Sequence, residues 1–222
     1  FAAQGILLAL LARAVSGRGQ QVDIAMHDSV AALLTYQAAG YLATGRNPPR
    51  MGNAHESIVP YGTFDVADGL LMLAVGNDDQ FRRFCDAAGL SPLSGDERFA
   101  TNPQRVAHRD ALLPLVTPVL RGRTRDEWVR LLRDAGVPCG AVRTIGEMMG
   151  DPQLAARDML TTVPHPAAGE LRLVGNPIRL SGEGRRGDRP APALGEHTEA
   201  ILTGELGMGA EEVGDLRRRG VV

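Results

Sequence analysis

The chain has 222 residues, of which 44% are apolar, and its formal net charge is −2. All 24 basic residues are arginines, and the lack of lysine excludes a Schiff-base lysine, a pyridoxal-phosphate anchor and a Gly-Lys-Ser/Thr phosphate loop. A near-neutral charge and an aromatic content of 4% offer a nucleic acid neither a strong field nor many stacking platforms, so no nucleic-acid partner is expected.

The first 45 residues predict a helix, a short strand and a second helix. Residues 1–16 have an apolar helical pattern that ends at a glycine, and a helix that is apolar on all sides is expected to be buried. Alternating apolar residues over 22–26 predict a short strand. A second helix, capped by Asp28, is predicted to run to about Thr44 and to end at Gly45. This order is typical of a doubly wound α/β layer.

The middle of the chain predicts a long loop and then a hairpin. Residues 45–60 contain prolines and glycines that break any periodicity, which indicates a functional loop or a domain boundary. Residues 61–66 and 70–75 are strand-like and are joined by a turn that contains an Asp-Gly pair. A helix capped at Asn77 is predicted to continue through Ala88.

Two further helical stretches follow. Residues 102–120 have a helical pattern, but they contain Pro114 and Pro118, which predict a break near those positions. Thr124 and Glu127 form a capping box, which predicts the start of the next helix.

The last third of the chain gives weaker signals. Residues 137–144 and 170–174 are strand-like, residues 182–192 form a loop rich in Gly, Arg and Pro, and residues 196–206 and 210–219 are predicted to be short helices. Mixed α/β is therefore the predicted fold class.

Length, apolar runs and cysteines limit the remaining possibilities. At roughly 100 to 200 residues per domain, the chain suits one large domain or one and a half. The longest apolar run, residues 6–12, is far shorter than the roughly 20 residues of a membrane-spanning helix, so no membrane partner is expected. Cys85 and Cys139 stand apart without metal-binding spacing, which predicts reduced thiols, no metal site and a cytoplasmic location.

Few segments carry recognisable chemistry. The sequence has no Gly-x-Ser-x-Gly elbow and no His-Glu-x-x-His motif. Residues 50–57 place an amide, an imidazole and a carboxylate between two structured regions, which is typical of a functional loop and equally of a linker. Residues 17–20 fit either an anion-binding loop or a plain helix-to-strand turn.

A set of segments in a fixed order gives a sharper indication. It begins with Ser-Gly-Arg-Gly-Gln-Gln-Val-Asp-Ile-Ala-Met-His-Asp-Ser-Val after the apolar helix and includes Gly-Asn-Ala-His before the hairpin. The segments are residues 16–30, 52–55, 60–64, 68–69, 96–99, 136–140, 151–152 and 193–198. In content and order they resemble the family III CoA-transferases, the CaiB/BaiF group that includes formyl-CoA transferase, and they cover nearly the whole chain.

The resemblance implies an α/β fold in which each subunit has a Rossmann-like large domain and a smaller α+β domain, and in which two subunits interlock as a homodimer. On that map, residues 1–45 are the C-terminal part of the large CoA-binding domain and residues 46–60 are the substrate loop and linker. Residues 61–165 form the small domain, and residues 166–222 return to the large domain.

The resemblance also implies a reaction. An aspartate attacks an acyl-CoA, and CoA passes to a carboxylic acid through an aspartyl anhydride and an aspartyl-CoA thioester. The CoA thioester is then a substrate, and no permanently bound cofactor is expected.

The same resemblance locates the reacting residues. The family's nucleophilic aspartate lies shortly before the apolar helix, so a chain that starts at Phe1 is expected to be the C-terminal portion and to be inactive alone. Neither Asp23 nor Asp28 takes that role. Met26 is predicted to line the CoA channel. The residues predicted to bind substrate are Gly52, Asn53, Ala54 and His55.

Two alternatives remain open. A 2-methylacyl-CoA racemase shares the fold but exchanges an α-proton, and a non-catalytic fragment or assembly module would show no turnover. The loop at residues 52–55, which leads into Pro-Tyr-Gly at residues 60–62, resembles the transferases more than the racemases. It departs from the run of glycines in formyl-CoA transferase, which argues against formyl or oxalyl specificity.

Overall fold

The computed structural model describes residues 1–182 and 189–222, so the centre of the Gly/Arg/Pro loop, residues 183–188, lies outside the described residues. The chain divides into two compact units, Phe1–Val142 and Arg143–Val222. Both units contain helices and antiparallel strands. The predicted mixed helix-and-sheet class is therefore confirmed. None of the described helices is long and apolar enough to cross a membrane.

Three helices open the first unit. They are α1 (Ala2–Ser16), α2 (Met26–Leu33) and α3 (Thr35–Thr44). Gly17 and Gly45 follow α1 and α3 in the left-handed conformation, as the predicted stop residues require. The expectation that the first helix is buried is wrong for the described chain, because no residue of α1 is buried and Leu8 is 66% exposed. The core of this unit is built by later elements, which leave the apolar surface of α1 uncovered.

The segment between α1 and α2 differs from its prediction. Residues 22–25 form no strand, because no neighbouring strand of the described chain supplies ladder hydrogen bonds. The second helix begins at Met26 with Ala25 as its N-cap, so Asp28 lies in the first turn rather than at the cap. The single helix expected here is divided between α2 and α3, where Thr35 has a φ of 44°.

A three-stranded antiparallel sheet follows the long loop. Its order is β1-β2-β3, with β1 at Tyr61–Val66, β2 at Gly69–Ala74 and β3 at Cys139–Ala141. Val66 pairs with Gly69, which confirms the predicted hairpin. The tight turn consists of Ala67 and Asp68, and Gly69, which was expected in the connection, is the first residue of β2. The predicted strand over residues 137–144 is shorter than expected.

Five helices lie between β2 and β3 along the chain. They are α4 (Asp78–Ala88), α5 (Ser91–Ser94), α6 (Asn102–Ala107), α7 (Arg109–Leu120) and α8 (Arg125–Asp134). Asn77 caps α4 through its side chain, and Thr124 and Glu127 form the predicted capping box of α8. Both helix starts are therefore confirmed.

The predicted proline break is misplaced. Pro114 and Pro118 lie inside a continuous α7, and the helical pattern breaks at His108, between α6 and α7. Each proline removes one backbone hydrogen bond. Packing offsets that loss, because Leu112, Val116 and Leu120 repeat every four residues and are all buried.

The core of the first unit holds a buried arginine among apolar side chains. Phe81, Phe84 and Trp128 are among its largest members, and the Trp128 Nε1 donates to the Leu120 carbonyl at 2.7 Å. Arg105 has a relative exposure of 0%. Its Nε donates to the Val59 carbonyl at 2.8 Å, its Nη1 to the Phe99 carbonyl at 3.0 Å and its Nη2 to the Asp78 carboxylate at 2.8 Å. All three guanidinium nitrogens are therefore hydrogen-bonded.

The second unit consists of a hairpin and short helices. Strand β4 (Leu160–His165) pairs antiparallel with β5 (Gly169–Val174). The sequence predicted β5 but not β4, whose pattern is interrupted by Pro164. The helices are α9 (Ile145–Met149), α10 (Pro152–Ala156), α11 (Thr198–Ala200), a π-helical turn (Ile201–Glu205) and α12 (Ala210–Arg218). The two predicted C-terminal helices are thus present, the first of them irregular.

Replacing Arg105 by Met is expected to lower the free energy of unfolding by about 3 kcal/mol, because two carbonyls and a carboxylate lose their buried donor. Denaturant unfolding of the full natural protein, followed by far-UV circular dichroism, measures the change. The control is Arg121→Met, which removes an exposed ion pair with Asp65 at 3.3 Å and is expected to cost less than about 1 kcal/mol. Equal losses in the two variants would show that Arg105 contributes no more than a surface ion pair.

Candidate functional site

The segment predicted to bind substrate forms an irregular loop against the start of β1. The Ala54 N–H donates to the Met51 carbonyl at 3.0 Å, which closes a turn. The His55 N–H donates to the Tyr61 carbonyl at 3.3 Å, and the Asn53 amide nitrogen donates to the Thr63 hydroxyl at 3.3 Å. The loop is therefore fixed to β1 by one backbone bond and one side-chain bond.

Gly62 allows this close contact between the loop and β1. Its φ is 152°, a conformation that favours glycine. A Cβ at this position would lie 3.3 Å from both the Asn53 carbonyl oxygen and the Ala54 Cα. The loop could not lie this close to the strand with a side chain at residue 62.

The His55 ring lies between two tyrosines. Its centroid is 6.1 Å from that of Tyr36, with the rings nearly parallel, and 5.2 Å from that of Tyr61, with the rings edge to face. Its Nδ1 accepts a hydrogen bond from the Ser57 N–H at 3.1 Å. Because that bond needs the lone pair on Nδ1, the neutral ring carries its proton on Nε2 and can donate it to a ligand.

A cavity of about 400 Å³ is formed by the loop, α3 and the start of β1. All four predicted substrate residues, 52–55, line it, together with Tyr36, Gln37 and Tyr61. Among the described residues that line the cavity, Glu56 alone is charged. The walls therefore offer mainly neutral hydrogen-bonding groups and aromatic surface.

Side chains from helix starts hold the next part of the loop. The Arg109 Nη2 donates to the His55 carbonyl at 2.7 Å and to the Glu56 carbonyl at 2.9 Å. Asn102 donates to the Ser57 carbonyl at 2.7 Å and accepts from the Val59 N–H at 3.2 Å. The loop backbone is thus held by groups more than 40 residues away in sequence.

The buried Arg105 continues this support at Val59. Burial lowers the pKa of the Arg105 guanidinium from its ordinary value, and the hydrogen bond and charge of Asp78 oppose that change. Nearby, Asp96 and Arg98 form an ion pair two residues apart in the segment before α6. Hydrogen bonds from Arg98 lower the pKa of the Asp96 carboxyl to about 2.

Met26 is not part of the loop cavity. It is the first residue of α2, is 86% exposed and is absent from the cavity lining. Its predicted place in a CoA channel stays a prediction. Within the two described stretches of chain, no group of three or more His, Cys, Asp or Glu residues is arranged to hold a metal ion.

Several residues of the site gave no signal of their own in the sequence. Tyr36 lies on a helix 19 positions before His55, and Asn102 and Arg109 lie in a helical pattern far from the loop. Tyr61 belongs to one of the segments that carry the family resemblance, but its contact with His55 depends on the turn of the loop. No sequence periodicity links these positions, so tertiary structure was needed to bring them together.

Comparison with known proteins gives one consistent family. The sequence model of the protein family described as CoA-transferase family III matches residues 1–198. The chain is 40% identical over 203 residues to the succinate–glutarate CoA-transferase of Agrobacterium fabrum, covering 91% of this chain and 50% of the relative. It is 38% identical over 220 residues to an acyl-CoA transferase of Fusarium pseudograminearum, covering 98% of this chain and 48% of the relative.

A comparison with solved structures gives the same family. A CAIB/BAIF family protein from Brucella suis superposes with a TM-score of 0.75 at 40% identity, covering 90% of this chain and 51% of that one. The chain spans about half the length of the relatives it matches.

Replacing Gly62 by Ala is expected to displace residues 53–54, because a Cβ would meet the loop at 3.3 Å. Trypsin should then cleave faster after the exposed Arg50, as measured by peptide mass spectrometry of timed digests. The control is Gly140→Ala in β3, where a Cβ would have no atom within 4 Å. Unchanged cleavage in the Gly62 variant would show that the loop tolerates a side chain there.

Proposed function

The chain belongs to CoA-transferase family III, and we propose that the protein transfers coenzyme A from an acyl-CoA to a carboxylic acid. The observation that carries this proposal is the family match over residues 1–198. The cavity supports it, because the four residues expected to bind substrate line one wall together. The acyl-CoA is then a substrate, and the reaction needs no resident cofactor.

Dicarboxylic acids are the proposed substrate class. The Agrobacterium fabrum relative is named for succinate and glutarate, both of which carry two carboxyl groups. The loop Gly-Asn-Ala-His-Glu-Ser at residues 52–57 is bulkier than a run of glycines, which argues for an acyl group other than formyl or oxalyl.

In the proposed reaction, CoA passes from the donor acid to the acceptor acid by way of one aspartate carboxylate. This aspartate, expected from the resemblance to lie before α1, attacks the thioester carbonyl carbon. The C–S bond breaks, CoA leaves as its thiolate, and a mixed anhydride of the aspartate and the donor acid remains. The thiolate attacks the aspartyl carbonyl of the anhydride and releases the donor acid as a carboxylate. The acceptor carboxylate then repeats these two steps in reverse and leaves as its CoA thioester. No electrons are transferred and no net proton is consumed.

The described residues contribute binding and orientation. His55 lines the cavity, and its Nε2–H is proposed to donate a hydrogen bond to an acyl or carboxylate oxygen there, with the Tyr36 and Tyr61 rings beside it. Met26 is proposed to line the CoA channel. The four-part division of residues 1–222 between a Rossmann-like large domain and a small domain, the interlocked homodimer and the cytoplasmic location belong to the same proposal.

The full natural protein is expected to form a new acyl-CoA from succinyl-CoA and an added dicarboxylic acid, detected by mass spectrometry of the CoA products. The racemase alternative is tested in parallel by incubation with a chiral 2-methylacyl-CoA in deuterated water. No deuterium should enter the α-position. Deuterium uptake without transfer would assign the racemase reaction, and the absence of both reactions would favour the non-catalytic module.

Replacing Glu56 by Gln is expected to lower the KM for a dicarboxylic acceptor, because the Glu56 carboxylate lines the cavity and repels a second negative charge. The expected change is about threefold, equivalent to roughly 0.6 kcal/mol of repulsion between exposed charges. Steady-state kinetics with dicarboxylic and monocarboxylic acceptors measures it. The monocarboxylic KM, and both KM values in the control Glu170→Gln on β5, should not change. A uniform change for both acceptors would contradict repulsion directed at the second carboxylate.

A further inference from the structure

Three consecutive carbonyls of the loop accept hydrogen bonds from side chains rather than from a helix or a sheet. The His55 and Glu56 carbonyls accept from the Arg109 Nη2 at 2.7 and 2.9 Å, and the Ser57 carbonyl accepts from Asn102 at 2.7 Å. Asn102 and Arg109 are the first residues of α6 and α7, on either side of the break at His108. Because the helical pattern breaks at His108, two helices begin here, and the first residue of each donates hydrogen bonds to the loop.

The charged guanidinium of Arg109 donates hydrogen bonds to the loop backbone. Within the described residues it forms no ion pair, and its two hydrogen-bond acceptors are the loop carbonyls. The side chain is partly buried. A hydrogen bond from a charged donor is shorter and stronger than one between neutral groups, so this contact restrains the backbone more than a neutral amide would.

The restrained backbone carries the His55 ring. The carbonyl that accepts from Arg109 at 2.7 Å belongs to His55 itself. The ring then needs a defined backbone position to lie between Tyr36 and Tyr61 and to accept from the Ser57 N–H. Without the Arg109 bonds, residues 55–56 would keep the His55 N–H bond to Tyr61, but two adjacent carbonyls would have no protein donor.

We propose that Arg109 is a positioning residue that fixes the His55 side chain in the cavity and thereby determines how well the acceptor acid is used. Arg109 does not line the cavity, so it acts through the loop and not by touching substrate. This inference rests on the proposed transferase function. Its effect should appear mainly on the acceptor, because the loop carries the proposed acceptor contacts, whereas the donor also draws binding free energy from its CoA portion.

The test compares Arg109→Met and Arg109→Lys with the control Arg121→Met, a substitution just beyond the other end of α7, in the full natural protein. For Arg109→Met, we expect kcat/KM for the acceptor acid to fall about 10- to 100-fold, the range that follows from misplacing a substrate contact by about 1 Å. The KM for succinyl-CoA should change little. Arg109→Lys, which keeps one charged donor, should lie between the wild type and Arg109→Met, and Arg121→Met should match the wild type.

A second readout does not depend on the reaction. Acylation of histidines by diethyl pyrocarbonate, followed by peptide mass spectrometry, reports how accessible each ring is. We expect His55 to react several-fold faster in Arg109→Met than in the wild type, with His165 and His197 unchanged.

The outcomes separate the two proposals. Wild-type acceptor kinetics together with a wild-type His55 acylation rate in Arg109→Met would overturn the positioning role, as would faster acylation of all three histidines, which indicates general unfolding. If Arg109→Met does not fold, the acceptor kinetics and the His55 acylation rate of Arg109→Lys test the positioning role instead. If the wild-type protein transfers no CoA, the proposed function fails, while the His55 acylation rate still tests the role of Arg109.

Discussion

The buried guanidinium of Arg105 joins three parts of the first unit that are distant in sequence. It binds the end of the loop at residues 46–60 through Val59, the segment before α6 through Phe99, and the start of α4 through Asp78. Its centre also lies 4.4 Å from the centroid of the Phe81 ring, a cation–π contact. Removing a charge from water is costly, and these contacts offset that cost. The C-terminal end of the loop is therefore fixed to the core.

From that point outward, the loop is held by progressively more exposed groups. Asn102 binds both sides of Ile58 through Ser57 and Val59, and Arg109 binds residues 55–56. An irregular segment has no ladder of its own, so each backbone group needs a separate partner. Here the partners come from two helix starts. An irregular loop held by side chains of a rigid scaffold is typical of binding loops.

The cavity has a chemical character that fits orientation better than tight capture of an anion. Its donors are neutral, its aromatic walls hold the His55 ring, and the carboxylate of Glu56 disfavours a nearby negative charge. For a reaction between two carboxylates and a thioester, weak binding of the acid is compatible with turnover, because the larger CoA portion can supply most of the binding free energy. The proposed task of this loop is to place a carboxylate, not to hold it strongly.

The sequence by itself determined features that depend on neighbours along the chain. Asn77, Thr124 and Gly17 mark helix ends through local backbone groups, Asp68 and Gly69 lie at the hairpin turn, and the ordered segments identified the family. Tertiary structure decided what depends on partners distant in sequence. Within the described chain, residues 22–25 lack a pairing strand and α1 lacks a cover, whereas packing of every fourth residue keeps α7 continuous through its prolines. The meeting of Tyr36 with His55 and the bonds from Arg105 and Arg109 arise from long-range folding, and no local pattern encodes such contacts.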